Sequence, residues 1–113
     1  VDPVRANDAL LESLEKFEKM GLVVDIAAVM VMIARVMAEK GQAEQAVEIL
    51  AVVLADPSRD QLSMIEQVPI GEAAESVLEP LETKLDPLVY AAAHARGGTI
   101  SLDVMVKQLL SGP

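Results

Sequence analysis

The chain of 113 residues has a formal net charge of −9 and is 52% apolar, with one Phe, one Tyr, no Trp and no Cys. This length suffices for one domain with one modest core. The negative charge argues against binding to nucleic acid or to anionic membranes, because both require clustered Lys and Arg. The absence of Cys excludes disulfides, thiolate metal sites and cysteine nucleophiles, and it fits a reducing cytoplasm.

The most apolar run, residues 22–38, cannot span a bilayer, because its uncharged part is too short. Asp25 and Arg35 leave nine uncharged residues between them, whereas a spanning helix needs about 20. No basic segment with a cleavage site opens the chain. Because the chain starts at Val1 without an initiator Met, we expect residues 1–113 to be a single helical-repeat-like domain from a longer protein.

The first three predicted helices cover residues 3–20 or 6–20, then 25–40 and 42–55. Leu10, Leu14 and Phe17 share one face of the first helix, and Gly21 ends it. The second helix, with Asp25 as its expected cap, is apolar nearly all round in "IAAVMVMIARVMA", which predicts a central helix covered on most sides. The third helix carries one apolar stripe: Ala43, Ala46, Val47, Leu50, Val53 and Leu54.

Four further helices are predicted over residues 57–67, 71–84, 87–96 and 101–110. Pro69 closes the fourth helix, Pro80 should kink or divide the fifth, and the pair Gly97 and Gly98 should stop the sixth. The dipeptide Asp-Pro at residues 2–3, 56–57 and 86–87 signals three helix starts, because Asp caps free amides and Pro fits the first helical position. We therefore predict an all-α fold of six or seven short helices, stacked as antiparallel hairpins in a right-handed array.

Eleven residues are expected to be mostly buried in this fold. They combine the apolar stripes of the predicted helices with two small residues, and they are Leu14, Phe17, Ile33, Ala34, Met37, Ala46, Leu50, Leu54, Leu81, Tyr90 and Leu109.

One segment, "MVMIARVMAEKGQAEQAVEILAVVLADP", resembles a tetratricopeptide repeat. Ala34 and Ala46 are small where two antiparallel helices would cross, and Gly41 permits a tight turn between them. The segment departs from the family at Met30 and Met37, where aromatic residues are usual. A shift of 34 residues in either direction recovers no second copy. A generic pair of antiparallel helices stays open as the alternative.

One pattern in the second half of the chain consists of Tyr90, Ala91, Ala92, Ala93, Arg96, Gly97, Leu102, Asp103, Leu109 and Leu110. With these residues, the second half resembles the C-terminal tail of large bacterial multidomain signalling and transcriptional regulators that contain a signal-transduction ATPase. Those tails are degenerate tetratricopeptide-like helices. The resemblance implies a cytoplasmic, non-catalytic module that binds a protein or peptide partner or a small inducer.

The sequence contains no pattern typical of an enzyme, a cofactor site or a metal site. His94 is the only histidine and has no fixed partner within reach along the sequence. A row of carboxylates on the fifth helix is interpreted as a solvated face, with contact to a basic partner as the alternative, because carboxylates along a straight helix do not form a compact cation cage. This row consists of Glu72, Glu75, Glu79 and Glu82.

The partner site is predicted on the second helix, because the first helix of each tetratricopeptide hairpin lines the concave surface. Arg35 could clamp a carboxylate of a ligand or peptide. The alternative is an internal ion pair with Glu39 or with a carboxylate of the first helix. The predicted groove-facing residues are Ala28, Val31, Arg35, Ala38 and Glu39. The other function considered is an oligomerisation module, a homodimer formed through apolar helix faces.

Overall fold

The computed structural model describes residues 3–62 and 67–111, which form six α-helices and one turn of 3₁₀ helix, with no strand among them. The radius of gyration, 12.8 Å, is that of a compact domain of this length. The all-α prediction is confirmed. The elements are α1 Pro3–Met20, α2 Val23–Glu39, α3 Ala43–Ala55, the 3₁₀ turn Pro57–Asp60, α4 Ile70–Lys84, α5 Pro87–Gly98 and α6 Leu102–Ser111.

Glycines end α1 and α2, as predicted. Gly21 and Gly41 adopt φ of +70° and +82°, a left-handed conformation in which a side chain would be strained. The amide of Leu22 donates to the Phe17 carbonyl at 3.1 Å, and the amide of Gln42 donates to the Met37 carbonyl at 2.8 Å. These bonds cap the last carbonyls of each helix.

Two of the three Asp-Pro pairs are confirmed as helix starts. The Asp56 carboxylate accepts a hydrogen bond from the Ser58 amide, and the Asp86 carboxylate accepts one from the Leu88 amide, both at 2.9 Å. The first pair precedes α1, but Asp2 lies outside the described residues. Each confirmed Asp satisfies an amide that the first helical turn leaves without a partner.

Three predicted boundaries are wrong. Leu22, not Asp25, is the N-cap of α2, and Asp25 lies in the first turn, where its charge still favours the helix dipole. The fourth predicted helix is a single 3₁₀ turn, because the backbone is already extended at Gln61, whose carbonyl accepts from the Ile70 amide; residues 63–66 of that prediction lie outside the described residues. Gly97 and Gly98 do not stop α5, which continues through both.

Pro80 lies inside α4, and it does not divide the helix. The neighbouring side chains supply hydrogen bonds to the helix backbone. The Ser76 hydroxyl donates to the Ala73 carbonyl, and the Thr83 hydroxyl donates to the Pro80 carbonyl, both at 3.0 Å. Pro80 itself is exposed, so the carbonyl that its missing N–H leaves without a partner lies on the solvent side of the helix.

The core is built around α2, as its apolar pattern predicts. α1, α3 and α4 cover it, and eight of its 17 residues are buried. α3 is buried between α2 and α5, and α4 contacts both α2 and α3. Of the eleven predicted core residues, Leu14, Ile33, Ala34, Ala46, Leu50 and Leu81 are buried, whereas Phe17, Met37, Leu54, Tyr90 and Leu109 are half-buried at the edges of the core.

The contact between α3 and α5 depends on a glycine. A Cβ atom on Gly97 would overlap the carbonyl oxygen of Glu48 and lie 2.6 Å from the Cβ of Ala51. The two helices therefore approach more closely than any other residue type at this position would allow. No helix among the described residues is long and apolar enough to cross a membrane.

Candidate functional site

A surface groove between α2 and α4 contains three of the five predicted site residues. Its volume is about 520 Å³, within the roughly 300–1,000 Å³ of ligand pockets. The C-terminal halves of the two helices form its walls. We call it the α2–α4 groove, and its lining residues are Arg35, Ala38, Glu39, Ser76, Val77, Pro80, Leu81, Thr83 and Lys84.

The α2–α4 groove has an apolar floor with charged groups at its edges. Val77 and Leu81 are buried where α4 packs on the core, and Ala38 is half-buried opposite them. The hydroxyls of Ser76 and Thr83 already donate to carbonyls of their own helix. The charged side chains of the groove lining are Arg35, Lys84 and Glu39.

The groove lining holds two basic side chains in a strongly acidic chain. They are Arg35 and Lys84, beside the carboxylate of Glu39, whereas the whole chain has a net charge of −9. The row of glutamates on α4 is exposed and does not line the groove, and it consists of Glu72, Glu75, Glu79 and Glu82. Within the described residues, Lys84 has no ion-pair partner. The charges of this groove favour an anionic ligand group.

The other two predicted site residues lie in the core. Ala28 is 2% exposed and Val31 is fully buried, so neither can touch a partner in this fold. The prediction that they lie on the open side of α2 is therefore wrong. The reason is that α1, α3 and α4 pack on α2 and bury residues 26–31, so that the surface of the helix is confined mainly to its two ends. The sequence did not identify the α4 wall either, because no local pattern reports that helices about 40 residues apart are neighbours.

A second groove lies between α1, α3, α6 and the end of α2, with a volume of about 430 Å³. We call it the α1–α6 groove. Its floor is apolar and includes two methionines, and its rim is polar. The floor consists of Leu11, Ile33, Met37, Ile49, Met105 and Leu109, and the rim of Lys40, Gln42, Gln45, Glu48 and Gln108.

A cluster of charges beside this groove joins α5 to α3. Arg96 donates to Glu44 at 2.8 Å and to Glu48 at 3.4 Å. The hydrogen bond from Arg96 to Glu44 is the main cause that raises the pKa of the guanidinium above its ordinary value. The bonded residues are 48 and 52 positions apart in sequence, and their hydrogen bonds link α5 to α3.

The single histidine has no catalytic surroundings. His94 is exposed, and its ring lies 5.9 Å from that of Tyr90, centre to centre. Burial and, to a lesser degree, the charge of Glu82 raise the pKa of Tyr90. In the described part of the chain, no three His, Asp or Glu side chains are grouped as metal ligands.

No protein-family model matches the chain, and neither a curated protein nor a solved structure matches it. Function is therefore inferred from the two grooves and from the charges around them.

Proposed function

We propose that this protein is a non-catalytic helical interaction module that binds a peptide segment of a protein partner in the α2–α4 groove. The observation that carries the proposal is the pairing of an apolar floor with two cations in a chain of net charge −9. A segment with an apolar side chain beside a carboxylate complements both features. The partner is thus a peptide segment bearing Asp, Glu or a free C-terminus.

The two cations recognise carboxylates in different ways. The guanidinium of Arg35 offers a planar pair of donors suited to both oxygens of one carboxylate, and the ammonium of Lys84 acts as a point charge on the opposite wall. A hydrogen bond to a charged group contributes about 1.5–3 kcal/mol. Loss of Arg35, which is half-buried, should therefore weaken binding about tenfold or more, whereas loss of the exposed Lys84 should weaken it by up to about fivefold.

The repeat resemblance supports this proposal. Ala34 and Ala46, the predicted small residues of the crossing between α2 and α3, are both fully buried. We propose that α2 and α3 form a tetratricopeptide-like hairpin, that the antiparallel array extends from it, and that α2 presents the end of its concave face in the groove. From the same resemblance, we propose that the parent protein is a cytoplasmic signalling or transcriptional regulator.

The test is a selection of random peptides with free C-termini on the purified domain, followed by affinity measurements with the recovered peptides. Arg35→Ala should weaken binding about tenfold or more, Lys84→Ala should weaken it by up to about fivefold, and both should leave the melting temperature nearly unchanged. Lys107→Ala is the matched control, since Lys107 is an exposed lysine paired with Asp103 at 3.2 Å on α6. A large loss of stability in Arg35→Ala without an effect on binding would make Arg35 structural and contradict its role as a clamp.

Self-association is the second candidate function, and the exposed apolar residues favour it. Leu88 is 81% exposed and Val104 is 45% exposed. Most of the apolar surface of α2 is buried within the chain. The homodimer that we propose therefore forms through the exposed apolar residues of α5 and α6.

A further inference from the structure

The floor of the α1–α6 groove is apolar surface that the fold leaves partly uncovered. Ile33, Ile49 and Met105 are buried beneath it, whereas Leu11, Met37 and Leu109 stay half-exposed around it. Two of these six side chains are methionines, whose flexible thioethers adapt to the shape of a bound group. The floor thus suits a flexible alkyl chain.

The rim carries one cation, Lys40, that has no ion-pair partner in the described part of the chain. The rim carboxylate of Glu48 accepts a hydrogen bond from Arg96 at 3.4 Å, and Arg96 also donates to Glu44 at 2.8 Å. The rest of the rim is neutral, since it consists of Gln42, Gln45 and Gln108. A ligand with a single negative charge matches this rim better than a phosphate does, because a doubly charged group meets only one lysine in a chain of net charge −9.

The N-terminus of α3 adds hydrogen-bond donors at the same end of the groove. Gln42 is the N-cap of α3, and its side chain makes no capping hydrogen bond. The amides of the first turn can therefore donate to another acceptor, and the helix dipole favours a negative charge there, to which Glu44 of the same turn already contributes.

We propose that the α1–α6 groove is a second ligand site and that its ligand is an amphipathic carboxylate, an alkyl chain that ends in one carboxyl group. The alkyl chain lies over Met37 and Met105, and the carboxylate lies beside Lys40. The volume of about 430 Å³ accommodates a molecule of this size. Four segments of the chain surround the groove, which suits a compact small molecule better than an extended peptide.

This site is separate from the α2–α4 groove. The two grooves lie on different sides of the last turn of α2, with Met37 lining one and Ala38 lining the other. Failure of either proposal therefore leaves the other intact.

The test uses the methionine methyl groups as reporters, with octanoate as the probe and octan-1-ol as its uncharged counterpart. In carbon-13 methyl spectra, the signals of Met37 and Met105 should shift and saturate as octanoate is added. Met30, which is fully buried, and Met20, which is 64% exposed, are internal controls and should not shift. Shifts of similar size at Met20, or no saturable shift at Met37 and Met105, would overturn the site.

The carboxylate assignment is tested with one charge-removing variant. Lys40→Gln should weaken octanoate binding by up to about fivefold, as expected for a partly exposed ion pair, and should leave octan-1-ol binding unchanged. Lys19→Gln is the matched control, since Lys19 is an exposed lysine near the end of another helix. Equal binding of the two probes, with no effect of Lys40→Gln, would overturn the carboxylate assignment.

Discussion

Gly97 shows how a single residue permits the contact between α3 and α5. We predict that Gly97→Ala destabilises the fold by about 1–3 kcal/mol, because the new methyl group would overlap the Glu48 carbonyl, and backbone moves less readily than a side chain. Gly98→Ala is the matched control. A Cβ atom there meets nothing within 4 Å, so the better helix propensity of Ala should stabilise by up to about 1 kcal/mol. Chemical denaturation measures both, and equal effects of the two variants would contradict the close contact.

Tyr90 provides a second prediction for one residue, because it is the only tyrosine and the chain has no tryptophan. Burial and then Glu82 raise its pKa. Between the unfolded pKa of about 10 and the higher folded pKa, the folded state keeps a proton that the unfolded state releases. Stability should therefore fall as the pH rises through this window.

Tyrosinate absorbance checks this titration directly. Glu82→Gln should lower the pKa of Tyr90 but leave it above the ordinary value, since burial is the larger cause. Glu79→Gln, which removes an exposed carboxylate from the same helix, is the control and should change little. An ordinary or lowered pKa for Tyr90 in the unmodified protein would contradict the described packing.

At the scale of elements, we predict that the contact between α2 and α3 depends on small residues. Ala46 is fully buried, so Ala46→Leu should destabilise by about 1–3 kcal/mol through overpacking. Ala55→Leu, at the exposed end of the same helix, should be close to neutral. Thermal unfolding compares the two variants, and a neutral Ala46→Leu would show that the helices do not cross there.

Local chemistry explains which elements could be predicted from the sequence. Gly21, Gly41, Asp56 and Asp86 act through contacts within a few residues of themselves, so their helix ends are visible in the sequence. The single 3₁₀ turn was not predictable, because its end depends on a bond between Gln61 and Ile70, nine residues apart.

Contacts between distant elements explain what the sequence could not reveal of the site. The apolar pattern of α2 predicts a central helix but does not tell which turns stay open, so Ala28 and Val31 were placed on the surface with Arg35. Which turns are covered depends on where α1 and α4 pack. The role of Gly97 was not visible in the sequence for the same reason. Only the packing of α3 against Gly97 distinguishes a glycine at a helix contact from a glycine that ends a helix.

At the scale of the whole molecule, self-association is predicted at high protein concentration. The exposed apolar residues Leu88 and Val104 on α5 and α6 provide the surface. Leu88→Glu should keep the protein monomeric, because a charge would then be buried at the contact. Light scattering over a concentration series measures this, and a monomer mass for the unmodified protein at every concentration would contradict the prediction.

The central claim is that the α2–α4 groove binds a carboxylate-bearing peptide, and mapping of backbone amide shifts with a selected peptide tests it most directly. We predict shifts concentrated at residues 35–39 of α2 and 76–84 of α4. Amidation of the peptide's carboxyl groups should weaken binding about tenfold or more, as expected for the loss of charge-assisted hydrogen bonds. Shifts centred on α5 or α6, or full binding by the amidated peptide, would contradict the claim.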